Sequence, residues 1–242
     1  MKAELRQIGV VRSGIRERKQ MPSLGAPALI EVFEPFLPAL LRFEKHSHIW
    51  VLAWLDQAER DVLQVTPRGV EDRSPAGLHG VFAVRSPVRP NPIGMTACRV
   101  VERREGEIKV DRLDFLEGTP IIDIKPYFVT RDAILAANNA QIGRPASREA
   151  LRESLWLQAV HFHGEECAEL ERAVEAIWRF RCEALDGNEP EAWDVTVPVH
   201  RGCAIDAVIG MTRATPGRGS LKFHAEDTIA VRYGGGTHRY AL

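Results

Sequence analysis

The chain has 242 residues, 45% apolar and 27% charged, enough for one large domain or two small ones with a core that needs no metal or disulfide. Its 32 basic and 33 acidic residues leave a net charge of −1, which excludes a uniformly basic surface but not a local basic patch. There is no apolar run of about 18 residues to span a membrane, no apolar signal core in residues 1–6, and only four scattered Cys (98, 167, 182 and 203). No membrane partner is therefore expected, and a reducing cytoplasm is the expected compartment.

In chain order, the first 135 residues read mostly as strands. Ile8–Val11 and Ala28–Phe33 are short apolar runs, the second stopped by Pro35. Phe36–Leu41 reads as a short helix. His48–Leu55 is the most apolar stretch and reads as a strand buried on both faces. Val81–Val84, Met95–Val101, Ile108–Leu113 and Ile121–Ile124 follow as strands. Many short strands punctuated by Pro and Gly indicate a barrel or a sandwich.

Residues 138–149 are small and polar, contain Gly143 and Pro145, and read as a linker. Ser147 is placed to cap a helix, with Glu149 and Glu153 in its first turns. Helical spacing of apolar residues then runs from Leu151 through Leu155, Val160, Leu170, Val174, Ile177 and Trp178, ending at Asp186-Gly187-Asn188. The last 50 residues read as a strand (Val195–Val199), a helix (Ile205–Thr212) and a strand pair, Thr228–Val231 with Thr237–Tyr240, turned at Gly234–Gly236.

The densest chemistry lies in Gly80–Gly94, GVFAVRSPVRPNPIG. Pro87, Pro90 and Pro92 fix φ and push their preceding residues into extended geometry. Such a stiff loop holds Arg85, Arg89 and Asn91 with little entropy left to lose on binding.

This stretch resembles the F-A-[TV]-R-[SA]-P-x-R-P-N-P-I-G core of the TsaA-like, or TrmO, family. Three further segments agree in order: Ile8–Ser13 with the family's opening strand, Phe43–Leu52 with its F-S-H-[IL]-W-V-L strand, and Leu116–Tyr127 with its L-D-G-T-P-V-L-D-I-K-P-Y segment. The resemblance covers about residues 5–130. It implies a small β-barrel, commonly a homodimer, that binds S-adenosylmethionine and methylates N6 of threonylcarbamoyl-adenosine beside the tRNA anticodon. No Gly-rich Rossmann loop is present, which fits this methyltransferase type.

Carried over residue by residue, the resemblance assigns Arg85 to the cofactor carboxylate, since guanidinium and carboxylate pair through two parallel hydrogen bonds. It assigns Met95 to the adenine or ribose, and Asp114, Leu116, Glu117, Gly118 and Thr119 to the cofactor loop. Met21, Pro22 and Ser23 belong to a lid-like segment in which Ser23-Leu24 replaces a usual Gln or Arg. Asp56-Gln57 stands where the family has His and a polar residue. Arg89 and Asn91 are left as substrate-binding candidates. A nitrogen acceptor calls for a base, and the matching motifs offer His46, Asp123, Lys125 and Tyr127, with His48 alongside; Asp123 and Lys125 would equally make an ion pair.

The C-terminal part carries His161–Cys167, then Arg201–Ala207, then Thr212–Leu221. This order resembles the FmdE-like domain, with F-H-G-H-x-C-P-G, C-x-x-D-A and T-G-C-T-x-G-K-G-N-L, a family associated with metal near those His and Cys. Here Glu165 replaces the second His, Ala168-Glu169 replaces Pro-Gly, and Ala214 replaces a Cys. A full tetrahedral zinc site is therefore lost. His163, Cys167 and Cys203 remain as a three-ligand set, with Glu165 a candidate fourth, the alternative being a domain kept for packing or dimerisation.

The expected fold is thus α+β: a TsaA-like barrel over residues 1–137, a linker over 138–149 and a smaller α+β domain over 150–242. The expected activity is transfer of methyl from S-adenosylmethionine to tRNA. Seven acids, Glu149, Glu153, Glu165, Glu166, Glu169, Glu171 and Glu175, lie in the second half and would repel phosphate. They keep two alternatives open, a methyltransferase with a non-RNA acceptor and a cofactor- or metal-binding module without transfer.

Overall fold

The computed structural model describes residues 4–137 and 139–242. Residues 1–3, at the head of the segment read for a signal core, and Asn138, the first residue of the expected linker, lie outside them. The chain forms two compact units, Met1–Pro67 with Arg73–Ile134, and Arg68–Asp72 with Leu135–Leu242. No helix among the described residues is long and apolar enough to cross a membrane.

The first unit holds β1 (Gly9–Arg12), β2 (Ala26–Val32), β3 (His48–Trp54), β4 (Gln64–Val65), β5 (His79–Gly80), β6 (Ile93–Arg104), β7 (Glu107–Leu113), β8 (Pro120–Pro126) and a one-turn helix, α1 (Val129–Asp132). Six strands close a barrel in the order β1-β2-β7-β6-β3-β8, every pairing antiparallel. The pleat sends alternate residues to opposite faces. Val11, Ile30, Ile49, Val51, Ile108, Val110 and Ile121 fill the interior with no solvent exposure. Each such side chain contributes roughly 1.5–3 kcal/mol by leaving water.

Four local readings change. His48–Trp54 is not buried on both faces: Ile49, Val51 and Ala53 point in, while His48, Trp50, Leu52 and Trp54 stay half-buried outside. Closure gives every strand one interior face only. The expected helix near Pro38 is a 3-10 helix, Glu34–Leu40, because proline denies an α-helix one of its hydrogen bonds. Val81–Val84 forms turns and bends rather than a strand, with Ala83 N–H donating to the Gly80 carbonyl at 2.9 Å. The long C-terminal helical pattern is two helices, broken where Gly164 adopts φ +98°, a conformation other residues reach only with strain.

The second unit contains α2 (Arg148–His163), α3 (Ala168–Ala184), β9 (Val195–Pro198), α4 (Gly202–Thr212), β10 (Leu221–His224), β11 (Thr228–Tyr233) and β12 (Gly236–Ala241). Ser147 caps α2, its hydroxyl accepting from Ala150 N–H at 3.1 Å. The sheet runs β10-β9-β11-β12, with β10 parallel to β9 and the rest antiparallel. Leu155, Leu170, Ile177, Phe180, Val195, Val208 and Ile229 form its core. β10 escaped the sequence reading: Leu221–His224 is only four residues long and lies against the Pro- and Gly-rich 215–220 segment.

One buried charge pins this unit. Arg181 is 4% exposed. Its guanidinium donates to the carbonyls of Gly187 (2.7 Å) and Asn188 (2.9 Å) and to Gln141 Oε1 (3.1 Å). Burial lowers its pKa, and Glu189 opposes that shift.

Candidate functional site

Antiparallel closure sorts the loops. The β1–β2, β3–β6 and β7–β8 connections all leave one end of the barrel, because β1, β3 and β7 finish there and β2, β6 and β8 begin there. That end therefore carries Met21, Pro22, Ser23, Asp56, Gln57, Arg85, Arg89, Asn91, Met95, Asp114, Leu116, Glu117, Gly118 and Thr119. Segments separated by up to about 100 positions in sequence become neighbours in space.

Three observations show how that end is built. Thr96 Oγ1, beside Met95, donates to Asp114 Oδ1 and ties β6 to the 114–119 loop. Gly118 N–H donates to Val11 O (2.9 Å) and Val11 N–H to Thr119 O (3.0 Å), fixing that loop on β1. Gly118 itself is exposed at φ +81° with nothing within 4 Å of where a Cβ would stand, so its backbone faces open space.

Most of these side chains are exposed, and several are held by the scaffold. Arg85 is exposed, and among the described residues no acceptor holds its guanidinium. Met95 is 45% exposed, and Asp56, Gln57, Asn91, Asp114, Pro22 and Ser23 are exposed. Met21 and Thr119, by contrast, are buried. Glu117 is a brace: its Oε2 accepts from Ser13 N–H (2.8 Å) and Gly14 N–H (2.9 Å), and its Oε1 from Arg12 Nη1 (3.4 Å). The Gly14 amide chiefly, with Ser13 and Arg12, holds that carboxyl below the usual carboxylate range. Arg89 is held in the same way, for its Nε and Nη2 donors are taken within its own loop by Ser86 O (2.9 Å), Val81 O (2.6 Å) and Val84 O (2.6 Å). Polar motif residues can hold a loop as readily as a ligand, and spacing alone does not separate the two.

The base candidates are not brought together with this set. His46 and Tyr127 lie at the opposite end of the barrel, where β3 begins and β8 finishes. Six strand steps along β3, about 20 Å, separate the two ends. There His46 meets the Phe128 ring edge-on at 5.7 Å, and Tyr127 lies 5.6 Å from Trp50. Burial lowers the pKa of nearby His48. Asp123 and Lys125 sit mid-barrel on the outer face, ion-paired at 2.6 Å. Asp123 pairs with Leu52, and Leu52 with Met95. That row sets Asp123 about 10 Å from Met95, two strand spacings away.

In the second unit, His163, Cys167 and Cys203 do come together. Their ligand atoms lie within 4.8 Å of one another. His163 Nδ1 contacts Asp206 Oδ2 at 3.0 Å, which turns Nε2 toward Cys167 Sγ at 3.9 Å. Burial, then the Cys167 thiol, pushes the Cys203 pKa up. Glu165 is not part of the cluster. The acids expected to repel phosphate are partly neutralised: Arg152 pairs with Glu171 (3.2 Å) and Glu175 (3.5 Å), and Glu169 receives both Arg172 (2.9 Å) and Arg201 (2.7 Å).

With this geometry in view, the family model described as the tRNA-methyltransferase O N-terminal domain matches residues 10–133. The chain belongs to that family. An Archaeoglobus fulgidus relative named "Probable S-adenosyl-L-methionine-binding protein" is 42% identical over 173 residues, 69% of this chain and 45% of the relative. The chain thus spans less than half of that relative. A Methanothermobacter thermautotrophicus relative of the same name is 42% identical over 139 residues, 55% of this chain and 96% of its own length. A solved structure, "Crystal structure of TrmO from Pseudomonas aeruginosa", is 30% identical, covering 60% of this chain and 65% of that one at a TM-score of 0.49.

Proposed function

We propose that this chain is a methyltransferase that uses S-adenosylmethionine to methylate N6 of threonylcarbamoyl-adenosine beside the tRNA anticodon. The observation that carries the reading is the convergence of the motif loops on one barrel end, with Arg85 exposed there and its guanidinium unpaired among the described residues. The names of the archaeal relatives supply the cofactor class. The reading includes a cytoplasmic homodimer.

The residues present fit that cofactor. Arg85 offers two parallel N–H donors to its carboxylate. Met95, with Leu52 beside it on the same outer face, offers an apolar bed for adenine. Gly118 leaves backbone open to close approach. When bound, S-adenosylmethionine would supply a methyl group on a sulfonium, its bond to the acceptor nitrogen forming in line as the bond to sulfur breaks and the neutral thioether leaves. The chain's own task is to hold donor and acceptor in line and exclude water. Asp123, in the Met95 row, is the proton-acceptor candidate nearest the cofactor end within one chain.

The test is calorimetric binding of S-adenosylmethionine to the wild type and to Arg85→Ala, followed by labelled methyl transfer to tRNA carrying or lacking threonylcarbamoyl-adenosine. The expected result is a tenfold or greater loss of affinity in the variant, about 1.4 kcal/mol, and label only on the modified tRNA. Wild-type protein that does not bind the cofactor removes the whole reading. Binding with label on neither tRNA removes the acceptor alone.

A second reading rests on the cysteine–histidine cluster. We infer that His163, Cys167 and Cys203 hold a zinc ion. Two sulfurs and one imidazole nitrogen make a soft donor set suited to zinc, with a fourth position left open. The Asp206 contact fixes the histidine tautomer, as carboxylates behind metal-bound histidines do. This reading agrees with the FmdE-like motifs, which lie outside the matched residues 10–133.

A further inference from the structure

Arg89 lies between Pro87-Val88 and Pro90, in the stiffest part of the β3–β6 connection. Its side chain does not leave the loop. Nε donates to Ser86 O, and Nη2 donates to both Val81 O and Val84 O. Its own N–H reaches back to Glu59 O at 3.2 Å. Arg60 adds a second tie, donating to Pro90 O at 2.9 Å while its guanidinium lies 5.5 Å from the Trp54 ring centre. Leu55 N–H closes the base of the loop on Pro92 O at 2.8 Å.

Three carbonyls gathered on one guanidinium fix the backbone on both sides of Arg85. With Val81, Val84 and Ser86 O turned toward Arg89, the side chains between them are left outside: Phe82 is 84% exposed and Arg85 is exposed. An arginine free in solution loses much of its side-chain entropy on binding a carboxylate. A loop already held in one shape removes the backbone share of that cost.

We propose that Arg89 is a positioning residue whose role is to present Arg85 to the cofactor carboxylate. This inference rests on the methyltransferase reading above. Lysine cannot replace Arg89, because one ammonium at the end of a flexible stem cannot reproduce the fork that spans three acceptors. Arg89 thereby acts on affinity only through Arg85.

The experiment is a double-mutant cycle on the full chain. S-adenosylmethionine affinity is measured by calorimetry for the wild type, Arg85→Ala, Arg89→Ala, Arg89→Lys and the Arg85→Ala/Arg89→Ala double variant. The expected result is an affinity loss of about fivefold or more in both Arg89 variants, and a double variant within about twofold of Arg85→Ala. Additive losses, or an Arg89→Lys protein that binds like the wild type, overturn the proposal. A ligand-free readout accompanies it: trypsin should cut the Arg85–Ser86 bond faster in Arg89→Ala than in the wild type, with the melting temperature of the barrel changed little. Equal cutting rates overturn the brace itself. Wild-type protein that fails to bind S-adenosylmethionine, or Arg85→Ala that binds normally, defeats the underlying reading instead, so the two failures are distinguishable.

Discussion

The tightest test of how the barrel supports the 114–119 loop is Gly94→Ala. Gly94 points into the barrel, opposite Ala53. A Cβ there would stand 2.5 Å from Phe115 Cε1, 3.0 Å from Cζ and 3.1 Å from Leu55 Cδ2. Phe115 is 3% exposed and cannot swing into solvent. It sits between Asp114 and Leu116, so any ring movement drags the loop. Overpacking of this kind costs about 1–3 kcal/mol. Replacing a strand glycine returns about 0.5–1 kcal/mol of chain entropy. From the middle of both ranges, the net expectation is a loss of about 1 kcal/mol. For a unit of this size that lowers the melting temperature by about 2–8 °C. The assay is thermal unfolding of Gly94→Ala, Phe115→Leu and the double variant. The clash should be relieved in the shorter Leu background, so the alanine should cost less there than in the wild type. An unchanged or raised melting temperature in Gly94→Ala would refute the reasoning, as would equal cost in both backgrounds.

Three further outcomes follow from the same structure. Glu117 has a folded pKa below its unfolded value, so its contribution is present above the unfolded value, near 4.5, and is lost as pH falls through the folded one; Glu117→Gln should be less stable than the wild type at pH 7 and the gap should close on acidification, which acid titration of the melting temperature checks. Zinc should bind at one equivalent per chain and lose at least tenfold in affinity in Cys203→Ser, with Asp206→Asn weakening it less; equal zinc affinity in the wild type and Cys203→Ser, read by a competing chelator, would remove the site. Arg181→Met removes the buried guanidinium and leaves the half-buried Gly187 and Asn188 carbonyls without their donor, while Gln141 Oε1 keeps the Glu189 N–H; it should cost about 1–3 kcal/mol, measured by urea unfolding.

The barrel was legible because its strands are short, β-rich and separated by Gly and Pro, and because four ordered motifs fixed their identity. What the residues alone left open, barrel or sandwich, depends on which strands pair across long connections, and no local pattern encodes the closing β1–β8 pair. Val81–Val84 misled because it has strand composition; the Val81 and Val84 carbonyls are claimed by Arg89 rather than by a neighbouring strand. The two-faced burial expected of His48–Leu55 failed because Trp50, Leu52 and Trp54 are apolar for the outer face, not for a second core layer. The cofactor candidates were found by motif, but their sorting into exposed and committed groups needed the partners of each polar atom. The base candidates are spread along the barrel for a topological reason: Leu116–Tyr127 is continuous in sequence, yet β8 carries its two ends to opposite ends of the barrel.

That separation bears on the chemistry. A base at His46 or Tyr127 would stand about 20 Å, the length of β3, from the loops around Arg85. Proton transfer requires approach to about 3 Å, or through one water. Within one chain Asp123 is therefore the better placed group, and its ion pair with Lys125 gives a direct way to weigh it. Asp123→Asn removes the base and leaves the lysine. Lys125→Ala removes the partner and leaves the base. If Asp123 accepts the proton, the first should abolish methyl transfer while S-adenosylmethionine still binds, and the second should retain turnover. If instead the pair only ties the outer face of β8, both variants should lower stability alike and both should keep methyl transfer.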